Sequence, residues 1–119
     1  MPIEISERSY PSGETYLYVV SSGSFSVADA EALVARLDHP DFAGQAKVLS
    51  TTLKGTDYPL ETRRFLFTDP FNYRWMANVV TSPLVRASIN MMLRLAPGQT
   101  RYKMFTDEDK AAQWLREQP

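Results

Sequence analysis

Three groups of residues carry side chains able to bind a partner or do chemistry. Ser50-Thr51-Thr52 sets three hydroxyls in a row toward the C-terminal end of a strand-like run, where ligands of open α/β sheets tend to sit. Thr is also a good strand residue, and alternation would bury one or two of these hydroxyls against backbone partners. Thr81-Ser82 stands ahead of a helical pattern with Arg86 one turn on. Hydroxyls, free backbone N–H groups and a guanidinium together suit an anion, although ordinary capping accounts for the same hydroxyl.

The third group is Arg63-Arg64-Phe65-Leu66-Phe67 with Phe71, Tyr73, Arg74, Trp75 and Met76, the densest aromatic and basic region of the chain. Trp, Tyr and Arg carry much of the energy of protein interfaces, and aromatic-basic surfaces also serve as single-strand nucleic-acid platforms. A helix packed on a sheet has the same composition. The expectation is Phe65 and one or more of its neighbours in the core, with the rest forming an exposed or dimer-forming rim and Arg63, Arg64, Phe71, Tyr73, Arg74 and Trp75 as the protein-interaction residues.

Catalytic and metal chemistry find little foothold. His39 is the one imidazole, beside Pro40, whereas a hydrolytic triad needs a nucleophile and an orienting group around its base and a zinc site needs several ligands. Asp107-Glu108-Asp109 is acidic, but a helix start explains it through the helix dipole. Cysteine is absent and the five glycines are dispersed, which excludes thiolate sites, disulfides and a Gly-rich phosphate loop. No catalytic residue, metal or cofactor is therefore expected.

These groups need a scaffold, and 119 residues with 44% hydrophobic and 23% charged side chains suit a single globular domain. Thirteen basic against fourteen acidic residues leave a net charge of −1, too little field to draw in nucleic acid or anionic lipid. The N-terminal residues resemble neither a secretory signal nor a transit peptide, and no apolar run is long enough to span a bilayer. A cytoplasmic location without stable membrane insertion is expected.

Periodicity supplies the elements. Ile3 to Ser9 and Thr15 to Val20 read as two strands joined by a turn at Pro11-Ser12-Gly13, an antiparallel pair. Val27, Ala30, Leu33, Val34 and Leu37 line one face of a helix. Ser26 and Asp29 form a capping box, Phe25 the start of a staple, and His39-Pro40 the stop. Ala46 to Leu53 reads as a strand, reached by a right-handed crossover, and Pro59 to about Phe67 as a second helix with Pro59 in its first turn. After a connector through Phe71 to Trp75, Ala77 to Thr81 reads as a strand. Ser82-Pro83 then opens a helix that buries Val85, Ile89, Met92, Leu93 and Ala96, shows Arg86, Asn90 and Arg94 to solvent, and stops at Pro97-Gly98. Arg101 to Phe105 is the last strand, and Thr106 caps a last helix bearing Ala111, Trp114 and Leu115. Strands alternating with helices favour a largely parallel sheet.

Several of these runs carry a family resemblance. Asn78-Val79-Val80-Thr81-Ser82-Pro83-Leu84-Val85-Arg86-Ala87, the strand Arg101 to Phe105, and Thr106-Asp107-Glu108 with Ala111 and Trp114-Leu115 resemble the STAS-like, SpoIIAA-like family of small bacterial domains. Ser22-Gly23 before the first helix and the strand Lys47 to Leu53 occupy corresponding places, so the resemblance spans nearly the whole chain. It implies an α/β fold with a mixed, mostly parallel sheet of about five strands covered by about four helices. It further implies a domain that binds protein partners or small apolar or anionic ligands without turning them over. Anti-anti-sigma relatives are switched by phosphorylation of a serine in an Asp-Ser segment, and here the matching stretch reads Gly55-Thr56-Asp57-Tyr58-Pro59.

The functional expectation is a non-enzymatic regulatory or protein-interaction module, with Arg63 to Met76 as its surface and a homodimer as one assembly. The rival is a carrier or sensor of a small apolar or anionic ligand, held in a cleft between the third helix and the central strands near Ser50, Thr51, Thr52, Thr81, Ser82 and Arg86.

Overall fold

Alternating residues carry the chain up β1 (Ile3–Ser9) and back down β2 (Thr15–Ser21). The two strands pair antiparallel, from Ile3 opposite Ser21 to Ser9 opposite Thr15. The Gly13 N–H closes the turn on the Tyr10 carbonyl at 2.9 Å, and its φ of 94° is one that glycine adopts without strain. The description rests on a computed structural model and covers residues 3–95 and 101–119.

The capping box forms as the sequence implies. The Ser26 hydroxyl accepts the Asp29 N–H at 3.1 Å and the Asp29 carboxylate accepts the Ser26 N–H at 2.8 Å. Helix α1 (Val27–Leu37) starts there and buries Ala30, Leu33 and Leu37. Strand β3 (Lys47–Thr52) then pairs parallel to β2. Helix α2 (Leu60–Leu66) differs from expectation at its start, because Pro59, with φ −55° and ψ 158°, is the cap itself and not part of the first turn. One internal tie fixes α2: the buried Thr62 hydroxyl donates to the Phe25 carbonyl at 2.6 Å.

Strand β4 (Trp75–Val80) begins two residues earlier than the sequence pattern suggests and stops before Thr81. The Arg74 N–H already bonds the Ala46 carbonyl at 2.9 Å, so pairing with β3 takes in Trp75 and Met76 opposite Lys47 and Val48. Helix α3 (Pro83–Leu95) and strand β5 (Tyr102–Phe105) follow. The expected burial of Ala96 and the stop at Pro97-Gly98 lie outside the described residues. Helix α4 (Glu108–Glu117) is capped by Asp107 and not by Thr106. A carboxylate at that position reaches two orphan donors at once, the N–H groups of Asp109 at 2.8 Å and Lys110 at 3.2 Å.

The sheet order is β1-β2-β3-β4-β5, with β2 through β5 parallel to one another. Crossovers of one hand, each advancing to the next strand, put α1, α2 and α3 on a single face. There Leu17, Val19, Val48 and Met76 pack with Ala30, Leu33 and Leu37 of α1, while Val85 and Ile89 of α3 meet Val80. The last helix, α4, covers the other face, where Ala111 and Leu115 pack on Tyr16, Leu49, Ala77 and Val79. Alternation along each strand thus divides the core into two layers, and the layer beneath α1 to α3 is incompletely filled. Among the described residues no helix is long and apolar enough to cross a membrane.

Candidate functional site: a cavity with a polar end

The strand register gathers a small polar patch on the helix-covered face. Val19 lies opposite Ser50 and Ser21 opposite Thr52, while Ser50 lies opposite Asn78. Toward the strand starts the same face is apolar, with Leu17, Val48 and Met76 in neighbouring positions. Ser21, Ser50, Thr52 and Asn78 therefore form a cluster at the C-terminal ends of three parallel strands, and all four are buried. This is the edge where open α/β sheets place their ligands.

Above that face lies a cavity of about 140 Å³. It is comparable to an engineered cavity of roughly 150 Å³ that holds one benzene molecule. Val19, Val48 and Met76 form its apolar floor, and Ile89, Met92 and Leu93 of α3 one wall. The opposite wall comes from the end of α2 and the segment after it, through Leu66, Phe67, Phe71 and Tyr73. Exposed Phe67 and Asp69 stand at the rim.

The polar end is partly spent on itself. The Thr52 hydroxyl donates to Asn78 Oδ1 at 2.9 Å, and Asn78 Nδ2 donates to the Tyr102 phenol oxygen at 2.6 Å. Tyr58 hydrogen-bonds with Thr52 and extends the chain. Burial pushes the Tyr58 phenol up to about 12, against a smaller downward pull from Thr52. Tyr73 is also pushed up to about 12, by burial first and then by the negative charge of Asp69, with Arg101 opposing. Burial lifts Tyr102 well above the usual phenol range despite its bond from Asn78. All three phenols are neutral at ordinary pH. The hydroxyls of Ser21 and Ser50, residues 5% and 8% exposed, line the cavity and make no hydrogen bond among the described residues.

The residues singled out from sequence distribute unevenly around this space. Ser50 and Thr52 are in its wall, whereas Thr51 points through the sheet to the other face, because neighbours in a strand alternate. Thr51 Oγ1 is buried there with no hydrogen-bond partner among the described residues. Thr81 is exposed. Ser82 serves the start of α3, its hydroxyl 3.5 Å from the Val85 N–H, and Arg86 Nη1 donates to the Val80 carbonyl at 3.3 Å. Neither Thr81, Ser82 nor Arg86 lines the cavity, so the expected six-residue ligand cluster reduces to Ser50 and Thr52.

The expected aromatic-basic rim is also divided. Arg63 and Arg64 are exposed on α2. Phe71 and Tyr73 turn into the cavity. Arg74 bonds Glu14 at 2.8 Å, and Trp75, now inside β4, packs edge-on against Trp114 of α4 with ring centroids 5.9 Å apart. These six side chains are split between the two faces of the sheet and do not make one surface, since β4 starts inside the segment and alternation divides it. His39 sits in the turn after α1, its Nδ1 accepting the Asp41 N–H at 3.2 Å.

Sequence reasoning missed Ser21, Asn78, Tyr58 and Tyr102. The first two carried a usable signal: each stands two residues past a same-face apolar residue, Val19 and Met76, in the C-terminal half of a strand.

No family model matches the chain, and no curated protein matches it. Among solved structures, the chain is similar to an uncharacterized protein of the DUF3478 family from Shewanella loihica PV-4, described as having a SpoIIAA-like fold. The TM-score is 0.66 at 19% sequence identity, covering 95% of this chain and 93% of that one. This similarity shows the fold.

Proposed function

We propose that this SpoIIAA-like domain binds a small, largely apolar molecule in the cavity beneath α3 and releases it unchanged, as a carrier or sensor. The observation that carries this reading is the joining of apolar walls to a buried row of hydroxyl and amide groups at the parallel strand ends. Ligand sites combine mostly apolar lining with a few placed polar groups in this way. Binding without turnover is the better reading because, among the described residues, the lining side chains include no imidazole and no amine, and their one carboxylate, Asp69, is exposed at the rim. A proton-transfer step needs a positioned acid or base within reach of the substrate. The protein-interaction reading built on residues 63 to 76 has less support, since that segment supplies cavity wall on one side and sheet packing on the other.

The test is an NMR titration of the isotope-labelled protein with benzyl alcohol. Amide shifts are expected at Ser50, Asn78 and Tyr73, and they should be lost in Met92→Trp, which fills the cavity from α3. Unchanged α4-side resonances would show that this variant is folded. Shifts confined to the outer surface, or identical shifts in Met92→Trp, would count against the cavity as a binding site.

A further inference from the structure

We infer that the molecule taken by this cavity is uncharged, an apolar body bearing one hydroxyl or carbonyl group, and that the site rejects the corresponding carboxylate. This rests on the cavity reading above and specifies its ligand class. The argument begins with charge. Among the described residues that line the space, the one acidic or basic side chain other than the phenols is the Asp69 carboxylate at the rim. That charge has the wrong sign for an anion.

Two cations act on the lining phenols from outside the lining, Arg86 on Tyr102 and Arg101 on Tyr73. Arg86 donates to the Val80 carbonyl, and the Arg101 guanidinium lies 6.0 Å from the Tyr73 ring centroid. Neither belongs to the lining. An ionised carboxylate buried without an opposite charge loses its hydration uncompensated.

What the polar end does offer is neutral hydrogen bonding. Thr52 and Asn78 are occupied with each other and with the two phenols. Ser21 and Ser50 retain hydroxyls able to donate or accept. Tyr102 accepts from Asn78 and keeps its own O–H for donation. A single carbonyl or hydroxyl group on the ligand satisfies such a set. A purely apolar ligand would leave the two serine hydroxyls dry and unpaired, which weakens its binding.

Three probes of similar size separate the elements of this inference: toluene, benzamide and benzoate, each titrated into the labelled protein at neutral pH. Toluene reports the apolar cavity alone, and benzamide differs from benzoate chiefly in charge. Benzamide is expected to bind tightest and toluene next, with benzoate at least tenfold weaker than benzamide. Replacing both serines (Ser21→Ala with Ser50→Ala) should bring benzamide affinity down to that of toluene while leaving toluene bound. Benzoate binding as tightly as benzamide would overturn the inference and leave the cavity reading standing, as would a benzamide preference that survives loss of both serine hydroxyls. Silence from all three probes would overturn both.

Discussion

The Lys47 ammonium, on a residue 3% exposed, lies 3.5 Å from the Glu14 carboxylate, which also accepts from Arg74 Nη2 at 2.8 Å. Among the described residues this one carboxylate is the ion-pair partner of both cations, and Lys47 Nζ sits 5.8 Å from the centroid of the Tyr10 ring, which stacks on Tyr16. Because alternation along β3 sends Lys47 to the α4 face, its charge enters a largely apolar layer. Glu14 is the device that makes this tolerable.

Glu14→Gln is therefore expected to destabilise the fold by about 2 kcal/mol. That is below the usual 3–5 for breaking a fully buried pair, because the Glu14 side chain is 43% exposed. Lys47→Met should recover most of the loss in the Glu14→Gln background, since it removes the unpaired buried charge. Urea midpoints of the two single variants and the double variant measure the coupling. Strict additivity would show that Lys47 gains nothing from Glu14.

The Thr52–Asn78–Tyr102 chain makes a second prediction. Asn78→Ala removes an acceptor from Thr52 and a donor from Tyr102, and is expected to cost about 2–4 kcal/mol, two buried groups at roughly 1–2 each. Tyr102→Phe strands only the Asn78 amide and should cost less. Equal losses in chemical denaturation would mean that the network does not act through these bonds.

The raised phenols give a pH signature. Tyr58 and Tyr73 are pushed up from 10.0 to about 12 in the fold. Below pH 10 each is neutral both folded and unfolded, so neither contributes any slope. Between about pH 10 and 12 the unfolded chain releases these protons first, and stability falls as pH rises. Urea unfolding at pH 8, 10 and 11 should show that decline, and it should be shallower in Tyr58→Phe and in Tyr73→Phe. An unchanged slope in both variants would place the alkaline loss elsewhere.

The fold was readable because its elements announce themselves twice, by period and by punctuation. Ser26 with Asp29 marks one helix start, and the apolar and β-branched runs of β2 and β3 mark strands covered on both faces. The site was harder to read. Ser50 and Thr52 followed from their strand position alone, but the cavity is a property of register across β2, β3 and β4, which places Ser21 and Asn78 beside them. Pairing between distant segments leaves no local mark in the sequence. Trp75 shows the converse: in composition it belongs with Phe71 and Tyr73, and one strand boundary sends it to Trp114 on the opposite side.

The turn between α1 and β3 holds two adjacent residues in left-handed backbone, Ala43 at φ 49° and Gly44 at φ 75°. The Ala43 N–H bonds the His39 carbonyl at 2.7 Å and the Gly44 N–H bonds the Leu37 carbonyl at 3.0 Å, so both conformations are held by the end of α1. For alanine that conformation costs about 1–2 kcal/mol, while a glycine there loses about 0.4–1 kcal/mol through the greater freedom of the unfolded chain. Ala43→Gly is therefore expected to stabilise the protein by about 0.5 kcal/mol. Gly44→Ala should destabilise it by about 1 kcal/mol, because it gains the same backbone strain and brings a Cβ to 3.4 Å from the Asn72 Cβ. Opposite shifts in thermal midpoint at neighbouring positions are the outcome to look for. Destabilisation by Ala43→Gly would show that unfolded-chain entropy outweighs backbone strain at that position.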